Sequence, residues 1–143
     1  MAKVELVDGV PTITERMGDQ GWWWNGDTTP KYGDVAAYQD IHSDWIYILG
    51  NPPNYVDEWP AKCYIYQARV RQADAFDLDK YEYWWGREEG WKSEVLTRFD
   101  AETAVMWGAG QGQMVYSEYF GTYIYVHLSE LIPCLLFPLW DLR

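Results

Sequence analysis

The stretch YQDIHSDWIYIL, Tyr38–Leu49, returns seventy-eight residues later as YSEYFGTYIYVH, Tyr116–His127. Each copy has an acidic residue in third place, Asp40 or Glu118, and closes on alternating aromatic and aliphatic residues: Trp45 matches Tyr123, Tyr47 matches Tyr125 and Ile48 matches Val126. Alternation of this kind sends successive side chains to opposite faces of a strand. Two gap-free copies of strand, turn and strand predict an internal repeat of a β-hairpin. Repeated units of this size belong to architectures in which each unit buries its apolar face on its neighbour, and for hairpins the radial version is a β-propeller. Two unrelated antiparallel hairpins of any β-domain would also look alike.

Strand signals fill most of the remaining chain: DVAAYQ (Asp34–Gln39), CYIYQARV (Cys63–Val70), YEYWW (Tyr81–Trp85), TAVMW (Thr103–Trp107), MVYSEYF (Met114–Phe120) and TYIYVHL (Thr122–Leu128). All are short and rich in β-branched and aromatic residues. Turn formers separate them, among them NGD at Asn25, GNPPN at Gly50, WGREEG at Trp85 and WGAGQG at Trp107. Only QADAFDLDKY, Gln72–Tyr81, has room for a helical turn or two. The expected fold is all-β, with residues 1–18 an N-terminal strand or linker, 19–128 the β-domain and 129–143 an irregular tail without strand alternation.

With 143 residues the chain is the size of one domain or a piece of a larger one. Eleven basic residues against twenty-two acidic ones give a net charge of −11 with no basic stripe, which argues against nucleic acid and other polyanions. A neutral polysaccharide or a cationic ligand is compatible. Ten Trp and twelve Tyr against four Phe favour rings with a polar edge, suited to half-buried strands and to sugar-binding surfaces. The longest apolar run, LIPCLLFPLW (Leu131–Trp140), is too short to span a bilayer and holds two prolines, so no membrane partner is expected. No signal peptide is visible at the N-terminus. His42 and His127 lack metal-ligand spacing, no phosphate loop or serine elbow is present, and no metal or cofactor is expected. Cys63 and Cys134 lie far apart, and a disulfide between them is only weakly indicated.

The segment YQARVRQADAFDLDKYEYWWGREEGW, Tyr66–Trp91, resembles the fungal members of the domain of unknown function 4185 family, in which an ARV strand, an acidic connection, YEYW, a glycine turn and GW form the outer part of one blade. GDVAAYQD, IYILG and AVMWGAGQGQMVYSEYFGTYIYVH resemble its successive inner strands, so the likeness runs from about Asp19 to His127. It implies a five-bladed, glycoside-hydrolase-like β-propeller, extracellular when intact, with some relatives acting as endo-D-arabinofuranases. Family domains are about twice as long. The chain therefore corresponds to a partial copy of about two blades, inactive alone and able to self-associate through exposed strand edges.

Glycoside hydrolysis needs two carboxyl groups across the scissile bond. Asp34, at the head of an inner-strand candidate, and Glu102, before another, are the catalytic candidates; Asp34 would otherwise be a turn residue holding local N–H groups. Asp40 and Glu118 are expected to face water at hairpin tips. Trp23 and Trp107 are candidates for stacking on a sugar ring, and Gln111 and Gln113 for hydrogen bonding its hydroxyls, amides being unable to transfer protons usefully. The clusters GWWWNGD (Gly21–Asp27) and YWWG (Tyr83–Gly86) offer further rings, at least half of which must pack the core. The expected partner is a polysaccharide or oligosaccharide, with a non-catalytic carbohydrate-binding or structural β-domain as the alternative.

Overall fold

A computed structural model of the protein describes residues 2–18, 20–108 and 110–127. The tail 129–143, and with it any pairing of Cys63 with Cys134, lies outside the described residues. The fold is all-β and antiparallel. A hairpin of β1 (Ala2–Val7) and β2 (Val10–Arg16) opens the chain. The main sheet follows as a meander of β3 (Lys31–Gln39), β4 (Trp45–Asn51), β5 (Tyr64–Arg71), β6 (Glu82–Trp84) and β7 (Trp91–Lys92), with β8 (Met106–Trp107) paired to the start of β5. A second hairpin, β9 (Gly112–Ser117) and β10 (Thr122–His127), closes it. The segment Gln72–Tyr81 holds single 3₁₀ turns at Gln72–Asp74 and Leu78–Lys80.

Alternation along β4 and β5 assigns the two faces of the main sheet. One face carries Ile48, Tyr66, Ala68, Val70 and Tyr83, all buried, with Tyr32, Tyr81, Trp85 and Leu96 completing a core that Trp23 and Trp24 cover. On the other face Ala36, Leu49 and Ile65 pack with Val35 under Met106, Met114 and Tyr125. A bulge lets β3 serve both. Tyr32 pairs with Gly50 and Ala36 with Leu49, so Gly33, Asp34 and Val35 oppose no residue, and the strand changes which face its side chains reach.

The two matched stretches form hairpins as expected, but their strands are not equivalent at the spacing of the sequence match. Gln39 pairs with Ile46 and Tyr38 with Tyr47, whereas Ser117 pairs with Thr122 and Tyr116 with Tyr123. The matched partners are offset by two residues: Tyr47 pairs with Tyr38, but its match Tyr125 pairs with Met114. An offset of two leaves the faces of a strand unchanged, so in both hairpins the matched tyrosines share one face and the matched aliphatic residues the other, and the second hairpin differs by a turn two residues tighter.

Asp40 does not simply face water. The Tyr123 hydroxyl donates to its carboxylate at 2.6 Å, Ser43 Oγ donates at 2.6 Å and the His42 N–H at 3.1 Å. Tyr123 in turn accepts the Ile41 N–H at 2.7 Å, and its ring lies 5.2 Å from that of Tyr38. The tip of the β3–β4 hairpin is thereby tied to β10. The hydrogen bond from Ser43, then those from Tyr123 and His42, hold the Asp40 carboxyl down at about 2, below its ordinary 3.8. A depressed pKa adds stability above the ordinary value and loses it as pH falls through the depressed one. Acidification from pH 4 to pH 2 is expected to loosen this junction, seen as a change in the Tyr123 ring resonances that Asp40→Asn shows already at pH 6.

Candidate functional site

The half of the second face that Met114 and Tyr125 leave uncovered is a cleft of about 860 Å³. Its floor is aromatic. Tyr38 from β3 and Tyr47 from β4 are opposite one another and stack at 5.3 Å with planes 19° apart, while Trp84 and Trp91, paired across β6 and β7, meet at 5.3 Å. Tyr47 and Trp91 join the two pairs at 6.0 Å. Gln67 of β5 donates to the Tyr38 hydroxyl at 3.3 Å, and burial pushes that hydroxyl up to about 12, so it stays protonated as a hydrogen-bond donor at neutral pH.

Beside this floor Arg69 stands between two indoles, 4.1 Å from the Trp45 ring and 4.2 Å from that of Trp91. Glu82, its cross-strand neighbour, accepts from its Nε and Nη2 at 2.7 Å each. Arg71 also stacks on Trp45, at 3.8 Å, and pairs with Asp44. Stacked guanidinium groups hold flat rings in fixed planes. Here they fix the edge of the aromatic floor.

The rims come from two loops. WGREEGW folds back on itself, the Trp85 N–H donating to Gly90 O at 2.9 Å and the Gly90 N–H to Gly86 O at 2.8 Å, which sets Arg87, Glu88 and Glu89 along one side. The opposite rim, Arg98 to Val105, is held by buried Thr103, whose Oγ donates to Arg98 O at 2.9 Å, and by Asp100, which accepts the Glu102 and Thr103 N–H groups at 3.0 Å. Arg98 joins the rims: it pairs with Glu89 at 2.9 Å and Asp100 at 3.1 Å and donates to Trp85 O at 3.2 Å.

The candidates from the sequence fall in several places. Glu102 lies in a turn, ahead of the shortened strand β8, and lines the cleft with an exposed side chain. Asp34 lies in the bulge of β3, does not line the cleft, and accepts both the Asn51 N–H and Asn51 Nδ2 at 3.0 Å. Its charge, after burial, pushes Tyr125 up. Asp34 thus bridges two strands as a clip. Asp34→Ala is expected to destabilise the fold by about 1–2 kcal/mol, since two donors lose an ionised acceptor; urea unfolding checks this. Trp23 packs edge-on against Trp24 at 5.9 Å and Tyr81 at 5.5 Å as part of the core cover. Trp107 is exposed on β8 opposite Tyr64, and Gln111 and Gln113 are exposed at and before β9. None of these four lines the cleft.

Tyr38, Tyr47, Gln67 and Trp91 enter the site without having been singled out, and Trp84 and Trp85 come from the YWWG cluster. The strict alternation in WIYIL and QARVR was their signal: every second residue, Trp45, Tyr47, Gln67, Arg69 and Arg71, turns to the cleft face.

Among the described residues no His, Cys, Asp and Glu side chains cluster as metal ligands. In the cleft, Glu89 is held below the ordinary carboxylate range, chiefly by its hydrogen bond from Lys92, and is an anion rather than a proton donor at neutral pH. The geometry defines an antiparallel β-protein with an aromatic groove. Comparison with protein-family models finds no match, and comparison with curated proteins finds none either.

Proposed function

We propose that the aromatic cleft binds a neutral oligosaccharide and that the chain is a carbohydrate-binding arc of a propeller-type protein related to glycoside hydrolases. The observation that carries this is the floor of Tyr38, Tyr47, Trp84 and Trp91 beside Gln67, flanked by the charged rims. Rings stack on the C–H faces of sugars while amides and charged groups bond the hydroxyls. The propeller part rests on a meander with a separate hairpin stacked against it, the order a blade and the start of the next would follow, and on the resemblance to the fungal domain of unknown function 4185 family. Binding is preferred to hydrolysis because Asp34, the first catalytic candidate, is engaged by Asn51 away from the cleft, leaving Glu102 as the one of the pair that lines it.

Calorimetric titration of the full chain with neutral glucan, xylan, arabinan and chitin oligomers tests this. At least one is expected to bind, with Tyr47→Ala and Trp91→Ala each weakening it about tenfold, the equivalent of roughly 1.4 kcal/mol per stacked ring, and no reducing ends released. Release of reducing ends that Asp34→Asn abolishes would instead establish the enzyme. If no oligomer binds, the cleft is structural.

A further inference from the structure

Trp84 and Trp91 are the first links of a longer chain of rings. Trp84 meets Trp91 at 5.3 Å, Trp91 meets Tyr47 at 6.0 Å, Tyr47 meets Tyr38 at 5.3 Å, and Tyr38 meets Tyr123 of β10 at 5.2 Å. Tyr116 of β9 lies a further 5.2 Å on, with the ring of exposed His42 5.1 Å beyond it. Every step is an ordinary ring contact. The chain therefore runs unbroken from β7, across the cleft floor, to the second hairpin. None of its links is Phe, which would pack as well. Trp and Tyr differ from Phe in giving up an electron to a strong oxidant, and an electron passes readily between such rings in contact.

A tyrosine keeps an oxidised state only where its phenolic proton can leave. Among the described residues Tyr123 is the one tyrosine whose hydroxyl donates to a carboxylate, that of Asp40 at 2.6 Å. This distance suits direct proton transfer. Asp40 is ionised at neutral pH, the hydrogen bond from Ser43 being the chief cause. It is a weak base, but an oxidised phenol is acid enough to protonate it. Tyr47 and Tyr38 lack such an acceptor, and the Tyr38 hydroxyl receives a hydrogen bond from Gln67 instead. Those two rings conduct, and Tyr123 retains.

We infer that this chain of rings is a relay for oxidising equivalents: an indole of the cleft floor, oxidised by a small inorganic radical, is restored at the expense of Tyr123, with Asp40 taking the proton. The radical removes one electron from Trp84 or Trp91 and departs as its anion. An electron from Tyr123 then passes through Tyr38 and Tyr47 to refill the indole. The Tyr123 Oη proton moves to Asp40 Oδ1, leaving a neutral tyrosyl radical and a protonated carboxyl. The cleft floor ends as it began, and the oxidised ring stands at the second hairpin. The relay does not depend on what the cleft binds.

Pulse radiolysis of the full chain with azide radicals, which oxidise indoles in preference to phenols, tests it. The indolyl absorption is expected to decay as the tyrosyl band rises, at a rate independent of protein concentration. Tyr47→Phe and Tyr38→Phe are each expected to slow this step about tenfold. Tyr123→Phe is expected to lower the tyrosyl yield, and Asp40→Asn to slow its formation because the proton loses its ionised acceptor. Tyr119→Phe, at a ring 90% exposed and off the chain, is expected to change neither. Far-UV circular dichroism matching wild type shows that the Phe variants are folded. Spin trapping followed by peptide mapping is expected to place the adduct on Tyr123 in the wild type and on Trp84 or Trp91 in Tyr47→Phe. Transfer as fast in Tyr47→Phe and Tyr38→Phe as in the wild type, or adducts on Tyr55 and Tyr119 with Tyr123 unmarked, would overturn the proposal whatever the oligosaccharide titrations give.

Discussion

Tyr83→Ala is expected to remove about 3–5 kcal/mol of stability, while Trp84→Ala at the next position removes roughly 1 kcal/mol and weakens saccharide binding about tenfold. The two side chains point to opposite faces of one short strand. Tyr83 is 2% exposed, lies 5.4 Å from the Tyr32 ring and accepts the Trp24 indole N–H at 3.0 Å. Its loss empties the centre of the larger core and leaves that N–H unpaired. Since domains of this size are stable by only about 5–15 kcal/mol, the variant should lie near its unfolding midpoint in dilute urea. Trp84 is half-buried and touches Trp91 on the cleft floor. Urea unfolding and calorimetric titration of both variants read the two faces independently.

Gly50→Ala is expected to cost about 3 kcal/mol or more, through a clash that no side-chain movement relieves. A Cβ on Gly50 would lie 2.6 Å from Lys31 C, Lys31 O and Tyr32 N, all backbone atoms of the neighbouring strand. The β3–β4 pairing would have to open beside the bulge. Gly9→Ala is the informative contrast: its φ is +80° but nothing lies within 4 Å of a Cβ there, so the cost is backbone strain of about 1–2 kcal/mol. Thermal unfolding that ranks Gly9→Ala as the more damaging would contradict the register assigned between β3 and β4.

Strands were legible where their alternation is strong: β4 and β5 of the main sheet and β10 of the second hairpin fall within a residue or two of their sequence limits. The Asp8-Gly9 turn between alternating runs also carried enough signal for a hairpin, although residues 1–18 read as a strand or linker. TAVMW was not legible as written, because Thr103 is held in a turn by Asp100 and Arg98 and only Met106 and Trp107 pair with β5. The bulge at Gly33–Val35 was invisible for a related reason: it is set by the Asp34 clip to Asn51 and by the close approach at Gly50, contacts between strands that no local pattern encodes. The same bulge brings Tyr38 to the cleft face. The carboxylates Asp34 and Asp40 join elements together, and no local pattern separates the rings that build the cleft from those that fill the core.

One face of the main sheet is closed by packing, and we propose that the other presents its aromatic residues to a saccharide. The indole N–H resonances of the assigned protein, followed during titration with whichever neutral oligomer calorimetry identifies, test it most directly. Trp84 and Trp91 are expected to shift together, with Trp24, bonded to the Tyr83 hydroxyl on the far face, unmoved. Shifts confined to Trp22, Trp23 or Trp107, with Trp84 and Trp91 silent, would place the sugar elsewhere and contradict the account.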